Sequence, residues 1–212
     1  MSLVIAIDVG IKNLAICAYD FVTSRVVHWD NVSLVPSGRY IPAQNVQYVR
    51  DFVHRHHSLF SNASVVVVER QMRCNMRIIE AVLQSMFFDR CQVINARSVK
   101  MHYGLSTRNY RANKAKAVEW ASTFVANNGG AFAPGVADLF CRGGKQDDLA
   151  DALLLVMYYL DTYSNQLVEL YGNLDSEKNG SNHPIFLRGS QDYPLFFLFT
   201  KRGFSCKWLT IG

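Results

Sequence analysis

Apolar and polar positions change their spacing several times along the chain, and each change predicts an element. Residues 3–9, LVIAIDV, form an apolar run broken only by Asp8 and turned by Gly10, the pattern of a buried strand. Apolar runs at residues 14–19 and 25–29 extend it into a short antiparallel meander. Over residues 42–60, Val46, Val49, Phe52 and Val53 take the spacing of a core-facing helix. The valine run of residues 64–68 reads as a central strand and ends in Glu69. Met72, Met76, Ile79, Leu83 and Met86 then recur every three or four residues. That stripe is expected to face the core, and a face for a second copy of the chain is the other reading. A short strand at 92–95 and helices at 112–127 and 147–163 complete the pattern. Strands first, then alternating helices and strands, predict an α/β domain with a mixed sheet. Residues 1–172 are expected to form that domain and 173–183, NLDSEKNGSNH, a polar linker. Residues 184–212 would be a C-terminal extension, with a hairpin packed back on the domain as one reading.

Half of the 212 residues are apolar and 18% are charged, which excludes a disordered chain. No apolar run approaches the roughly 20 residues of a membrane-spanning helix, and the first residues carry no targeting pattern. Cys17, Cys74, Cys91, Cys141 and Cys206 are scattered and never spaced as CxxC. Reduced thiols in an intracellular, soluble protein are therefore expected. The formal charge of +5 is concentrated in RSVKMHYGLSTRNYRANKAK, residues 97–116. That segment holds Arg97, Lys100, Arg108, Arg111, Lys114 and Lys116 and no acid; without those six the chain has 16 basic against 17 acidic residues. A basic segment interleaved with His102, Tyr103 and Tyr110 suits a polyanion, and a solvated basic loop is the plainer alternative.

Acids mark the ends of the apolar elements. Asp8 closes the first strand, Glu69 closes the valine strand, and Asp147, Asp148 and Asp151 open the last helix. Asp148 and Asp151, three residues apart, share a helix face. Taken singly, each acid could be a turn, surface or cap residue. Together they predict a carboxylate cluster, which needs a counter-charge to stay ionised. Hard divalent cations prefer such oxygen ligands, and two ions roughly 4 Å apart can promote phosphodiester hydrolysis.

AIDVGIKNLAICAYD, VVVVERQ and DDLADALL, in that order and spacing, resemble the RuvC-like Holliday junction resolvases of the RNase H-like fold. The resemblance spans roughly residues 3–160. ERQ and NYRANKAK lean towards the resolvases of poxviruses and other large DNA viruses and of fungal mitochondria. It implies an RNase H-like mixed sheet, an antiparallel meander plus parallel strands, flanked by helices. The activity implied is nicking of four-way DNA junctions by a homodimer, with Mg²⁺ (or Mn²⁺) bound as two ions per site. Carried over by position, the metal ligands would be Asp8, Glu69, Asp148 and Asp151. Lys100 and Lys114 would bind the backbone near the cut, with Lys114 also catalytic. Arg97, Arg108, Arg111, Lys116, Arg73 and Met72 complete the expected DNA set. Met72 stands where bacterial members place a wedging Phe; core packing is the expectation, insertion into DNA the alternative. Asp147 is read as a cap or an extra ligand, and Lys145 as a substrate contact or a partner of Asp147. A viral protein of this kind would act where viral DNA replicates, in the cytoplasm for a poxvirus-like one.

HRHH, residues 54–57, has no partner cysteine at zinc spacing and reads as a solvated helix end. CRGGKQ lacks the full phosphate-loop pattern. The competing functions are a nuclease acting on RNA or RNA–DNA hybrids, an actin-like or sugar-kinase-like ATPase, and a DNA-binding module without activity.

Overall fold

The computed structural model describes residues 2–35, 37–143 and 145–176, without the side chains of 164–176. The chain divides into two units, Met1–Tyr158 and Tyr159–Gly212. The first contains a five-stranded sheet in the order β3-β2-β1-β4-β5. Strands β1 (Leu3–Asp8), β2 (Leu14–Asp20) and β3 (Arg25–Val32) form the antiparallel meander. Strands β4 (Ala63–Glu69) and β5 (Cys91–Ile94) run parallel to β1. The mixed order expected from the pattern is thus the order observed.

Side chains alternate between the faces of a strand, and here both faces are covered. On one, Leu3, Ile5 and Ile7 of β1, Leu14 and Ile16 of β2, and Val66 and Val68 of β4 join one core cluster. Helices α1 (Asn45–Arg55), α2 (His57–Ser61) and α3 (Cys74–Met86) complete it with Val49, Phe52, Phe60, Ile79 and Leu83. On the other face Val4, Ala6, Cys17, Val65 and Val67 are also buried. Burial on both sides explains why β1 and β4 read as continuous apolar runs. Trp29, opposite Cys17 on β3, shows what covers this second face. Its ring stacks on Phe132 and on Phe140 of α6 (Asp138–Cys141). Its Nε1 donates to the carbonyl of Leu149, 2.9 Å away, in α7 (Gln146–Ser176).

The helical expectations hold with corrections. Residues 42–60 are not one helix: a 3₁₀ turn at Pro42–Gln44 precedes α1, and the chain breaks at His56 before α2. Val46 is exposed, so only Val49 and Phe52 of that stripe are fully buried. His56 is not simply solvated; its ring packs against Phe52 and His28. On α3, Ile79 and Leu83 enter the core, Met76 packs against it, and Met86 is exposed. Met72 precedes α3 and is 87% exposed, which overturns core packing for it. Helix α4 (Ala96–His102) was not expected, and α5 (Tyr110–Asn127) starts two residues early. Helix α7 runs through Ser176, so the first four residues of the expected linker are helical. The remainder of that linker and the extension at 184–212 lie outside the described residues. Among the described residues, Cys17, Cys74, Cys91 and Cys141 are all free, and no helix is long and apolar enough to cross a membrane.

The turn after β1 requires its glycine. A Cβ on Gly10 would stand 2.0 Å from the carbonyl oxygen of Asn13, a backbone atom that cannot move without the loop.

Candidate active site

The register of β1 on β4 fixes two of the acids. Ile7 pairs with Val68, so Asp8 and Glu69 are the next residues, side by side at the carboxyl ends of parallel neighbours. Ile7 and Val68 enter the first core, and alternation turns Asp8 and Glu69 to the other face, the one that α7 covers. Glu69 stands close enough to oppose the ionisation of Asp8. Burial first, then the charges of Glu69, Asp151 and Asp148, hold Asp8 well above its ordinary range.

Helix α7 supplies the other two acids from its first two turns, where the helix dipole favours negative charge. Two lysines from different helices already engage them. Lys100 of α4 lies 3.2 Å from Asp151 Oδ1 and donates to Oδ2 at 3.3 Å. Burial pushes Asp151 up to about 6, with Lys100 opposing and Glu69 reinforcing the rise. Lys114 of α5 donates to Asp147 and stands 3.5 Å from Asp148 Oδ1. Burial alone would lower Lys114, but the bond and charge of Asp147 raise it instead. For Asp147, burial is outweighed by Lys114 and then Lys145, and its carboxyl is lowered. Asp148 is raised by burial and by Asp147, against Lys114 and Lys145. Asp147 is therefore a partner for Lys114, and Lys145 acts on both acids through its charge.

A cleft of about 580 Å³ opens beside these groups, lined by Ala96, Arg97, Lys100, Thr107, Arg108 and Tyr110 with Ser106 and Asn113. No acid lines it. A narrow seam bounded by Glu69, Ala96, Val99, Lys100, Asp151 and Leu155 shares Ala96 and Lys100 with the cleft, and so connects it to the acids. The loop between α4 and α5 is held by Asn113, whose Oδ1 accepts from the Thr107 backbone at 2.7 Å and whose Nδ2 donates back to Thr107 O. Asn109 caps α5 by accepting from the backbone of Arg111 and Ala112. Arg111 and Lys116 are exposed on α5 outside the cleft lining, and Arg73 is exposed with Met72 between β4 and α3. Tyr110, part of the basic segment expected to meet a polyanion, is 71% exposed with the Lys114 ammonium 5.6 Å from its ring centre. Gln71, given no role of its own by the sequence and present there only within ERQ, donates its amide to Glu69.

The donor set suits a hard cation, because every ligand offered is a carboxylate oxygen. Asp151 Oδ1 is buried without a hydrogen-bond partner despite its ion pair, an acceptor with capacity to spare. Among the described residues, however, no three acid, His or Cys side chains already stand in an ion-holding group. Asp147, Asp148 and Asp151 are engaged instead by Lys114 and Lys100.

A family model described as "Poxvirus A22 protein" matches residues 2–162. No curated protein matches in sequence. Among solved structures, the fowlpox virus resolvase in complex with substrate Holliday junction DNA is 17% identical at a TM-score of 0.55, covering 76% of this chain and 97% of that one. The yeast mitochondrial Holliday junction resolvase is 18% identical at a TM-score of 0.59, covering 84% and 86%. At such identities the likeness establishes the fold, an RNase H-like mixed sheet flanked by helices.

Proposed function

The chain belongs to the family of the Poxvirus A22 protein, and from that premise we propose that it is an endonuclease resolving four-way DNA junctions by paired, symmetric nicks. The observation that carries this reading is the meeting of two strand-end acids, a helix-borne acid pair and two lysines beside an acid-free cleft. Its solved likenesses, a fowlpox virus and a yeast mitochondrial Holliday junction resolvase, support the junction as substrate.

In this reading Asp8, Glu69, Asp148 and Asp151 hold Mg²⁺, with Mn²⁺ able to substitute, as two ions per site. Bound there, the ions supply a polarised water and a counter-charge for the leaving oxygen. The protein's own groups do the rest. Partial burial of Asp8 and Asp151 limits their contact with bulk water and strengthens the charge interactions among the acids. Lys100 and Lys114 take the phosphate oxygens next to the cut and offset the charge that grows on them. Asp147 keeps Lys114 protonated and aimed. Arg97 and Arg108 hold the strand along the cleft, Arg111, Lys116 and Arg73 add backbone contacts further out, and exposed Met72 is free to press against bases. The products are a 5′-phosphate and a 3′-hydroxyl. Paired cuts need two sites related by a two-fold axis, so the working form is a homodimer. Its place of work is the compartment in which the viral DNA replicates, the cytoplasm for a poxvirus-like protein.

The test is a labelled four-way junction beside a linear duplex and an RNA–DNA hybrid, each with Mg²⁺ and with EDTA. Symmetric nicks in the junction alone, abolished by EDTA and by Asp8→Asn, are expected. Preferential cleavage of the hybrid would instead identify an RNA-directed nuclease, and ATP hydrolysis without nicking an ATPase.

A further inference from the structure

Glu69 is a long side chain at the end of a strand, with three torsions to fix before its carboxylate points anywhere reliably. Unlike Asp151, it has no lysine ion pair among the described contacts. Its fixed partner is neutral. Gln71 Nε2 donates to Glu69 Oε2 at 3.0 Å and to the Glu69 backbone oxygen at 3.2 Å. The same amide thus ties the head of Glu69 to its own backbone and closes a small ring that removes rotamer freedom.

Gln71 is itself held. Its backbone N–H donates to Glu80 Oε2 at 2.6 Å, and Glu80 lies on α3 one residue after buried Ile79. A charged acceptor makes this bond stronger than a neutral one would. It helps tie down the β4–α3 connection, where Met72 and Arg73 stand exposed and Arg73, at the N-cap position, makes no side-chain capping bond. The relay therefore runs from the core-anchored helix through Gln71 to the acid.

We infer that Gln71 is the positioning residue for the Glu69 carboxylate and that Glu80 fixes Gln71 from α3. This rests on the proposed role of Glu69 as a metal ligand. An amide suits the task because it is neutral at every working pH and orients an oxygen without cancelling its charge, whereas a lysine there would compete with a cation. Partners of this kind typically alter metal affinity or activity by about 10–100-fold when lost.

The experiment compares Q71L, E80A and E80Q with the wild-type full-length protein by three readouts. These are the Mn²⁺ concentration that half-saturates the rise in Tm without DNA, the Mg²⁺ concentration giving half-maximal junction nicking, and junction affinity in EDTA. Q71L is expected to raise both ion requirements by about 10–100-fold and to leave metal-free junction affinity unchanged. E80A should shift them in the same direction, and E80Q, which keeps an acceptor oxygen for the Gln71 N–H, should restore them. An unchanged ion requirement in Q71L overturns the inference, as does a loss of metal-free junction binding, which would make Gln71 a DNA contact. If Q71L fails to fold, equal ion requirements in E80A and E80Q overturn it. Failure of the wild type to nick junctions would sink the proposed function and leave the Mn²⁺ melting series as the test of the relay.

Discussion

Replacing Trp29 by Phe removes a side-chain hydrogen bond that ties the sheet to the acid-bearing helix. The indole is 4% exposed, stacked 4.8 Å from Phe140 and 5.7 Å from Phe132, with Nε1 2.9 Å from Leu149 O. A phenyl ring keeps most of the stack and loses the bond, worth about 1 kcal/mol. The smaller ring leaves a void costing about 1 kcal/mol more. W29F should therefore lose about 2 kcal/mol and W29A about 3–5 kcal/mol. At roughly 2–4 °C per kcal/mol for a chain of this length, W29F melts about 4–8 °C lower. Urea unfolding followed by far-ultraviolet circular dichroism measures this without depending on tryptophan emission. Because Leu149 lies between Asp148 and Asp151, nicking should fall by more than junction binding does; a displacement near 1 Å can cost about 100-fold. A wild-type midpoint for W29F, or one midpoint shared by W29F and W29A, would refute the reasoning.

The remaining predictions concern other parts of the fold. Gly10→Ala puts a Cβ 2.0 Å from Asn13 O; it should cost about 1–3 kcal/mol and depress nicking, and a calorimetric scan matching wild type would contradict it. Removing Arg97 and Arg108 together from the cleft should make the plot of log affinity against log salt shallower by about 2, since each phosphate contact contributes about 0.9; an unchanged slope places the strand elsewhere. His28 and His56 stand edge to face at 5.6 Å. Burial lowers both, Asp30 opposing, and for His56 the charges of His28 and Arg55 add to the lowering. Their folded values thus lie below the ordinary 6.5, so the unfolded chain binds more protons as pH falls past it. Their stability contribution is complete above about pH 6.5 and is lost on acidification. The melting temperature should drop over that window, and H28F should flatten the drop; parallel curves would exclude His28 as its source.

The sheet and its acids were legible because strand parity is written in the sequence. Apolar residues up to Ile7 and Val68 fix the orientation of Asp8 and Glu69, whatever the rest of the chain does. Helix α4 was not legible, since Val99 is its one fully buried side chain and a single buried position sets no period. Helix α5 has the same weakness, burying only Ala117 and Ala121, and its start depended on an Asn cap read as part of a basic segment. Met72 matched the α3 stripe by spacing, yet it precedes the helix and faces solvent. The pairing of Asp147 with Lys114 joins residues 33 positions apart, which no local pattern can report. Gln71 sat in plain view within ERQ, but its hydrogen bonds with Glu69 depend on the course of the chain after β4.

The order in which the acids occur has a consequence for the making of the protein. Asp8 and Glu69 emerge early, but Asp148 and Asp151 belong to α7, which begins at Gln146. Bringing Asp151 near enough for its charge to act on Asp8 closes a loop of most of the first unit, the kind of long-range approach that forms late. A nascent or prematurely ended chain lacking α7 would have half of the proposed ligand set and none of the three acids that Lys100 and Lys114 engage. On the proposed ligand set, a partial product would hold no complete site, because its helical wall is synthesised after both strand-end acids.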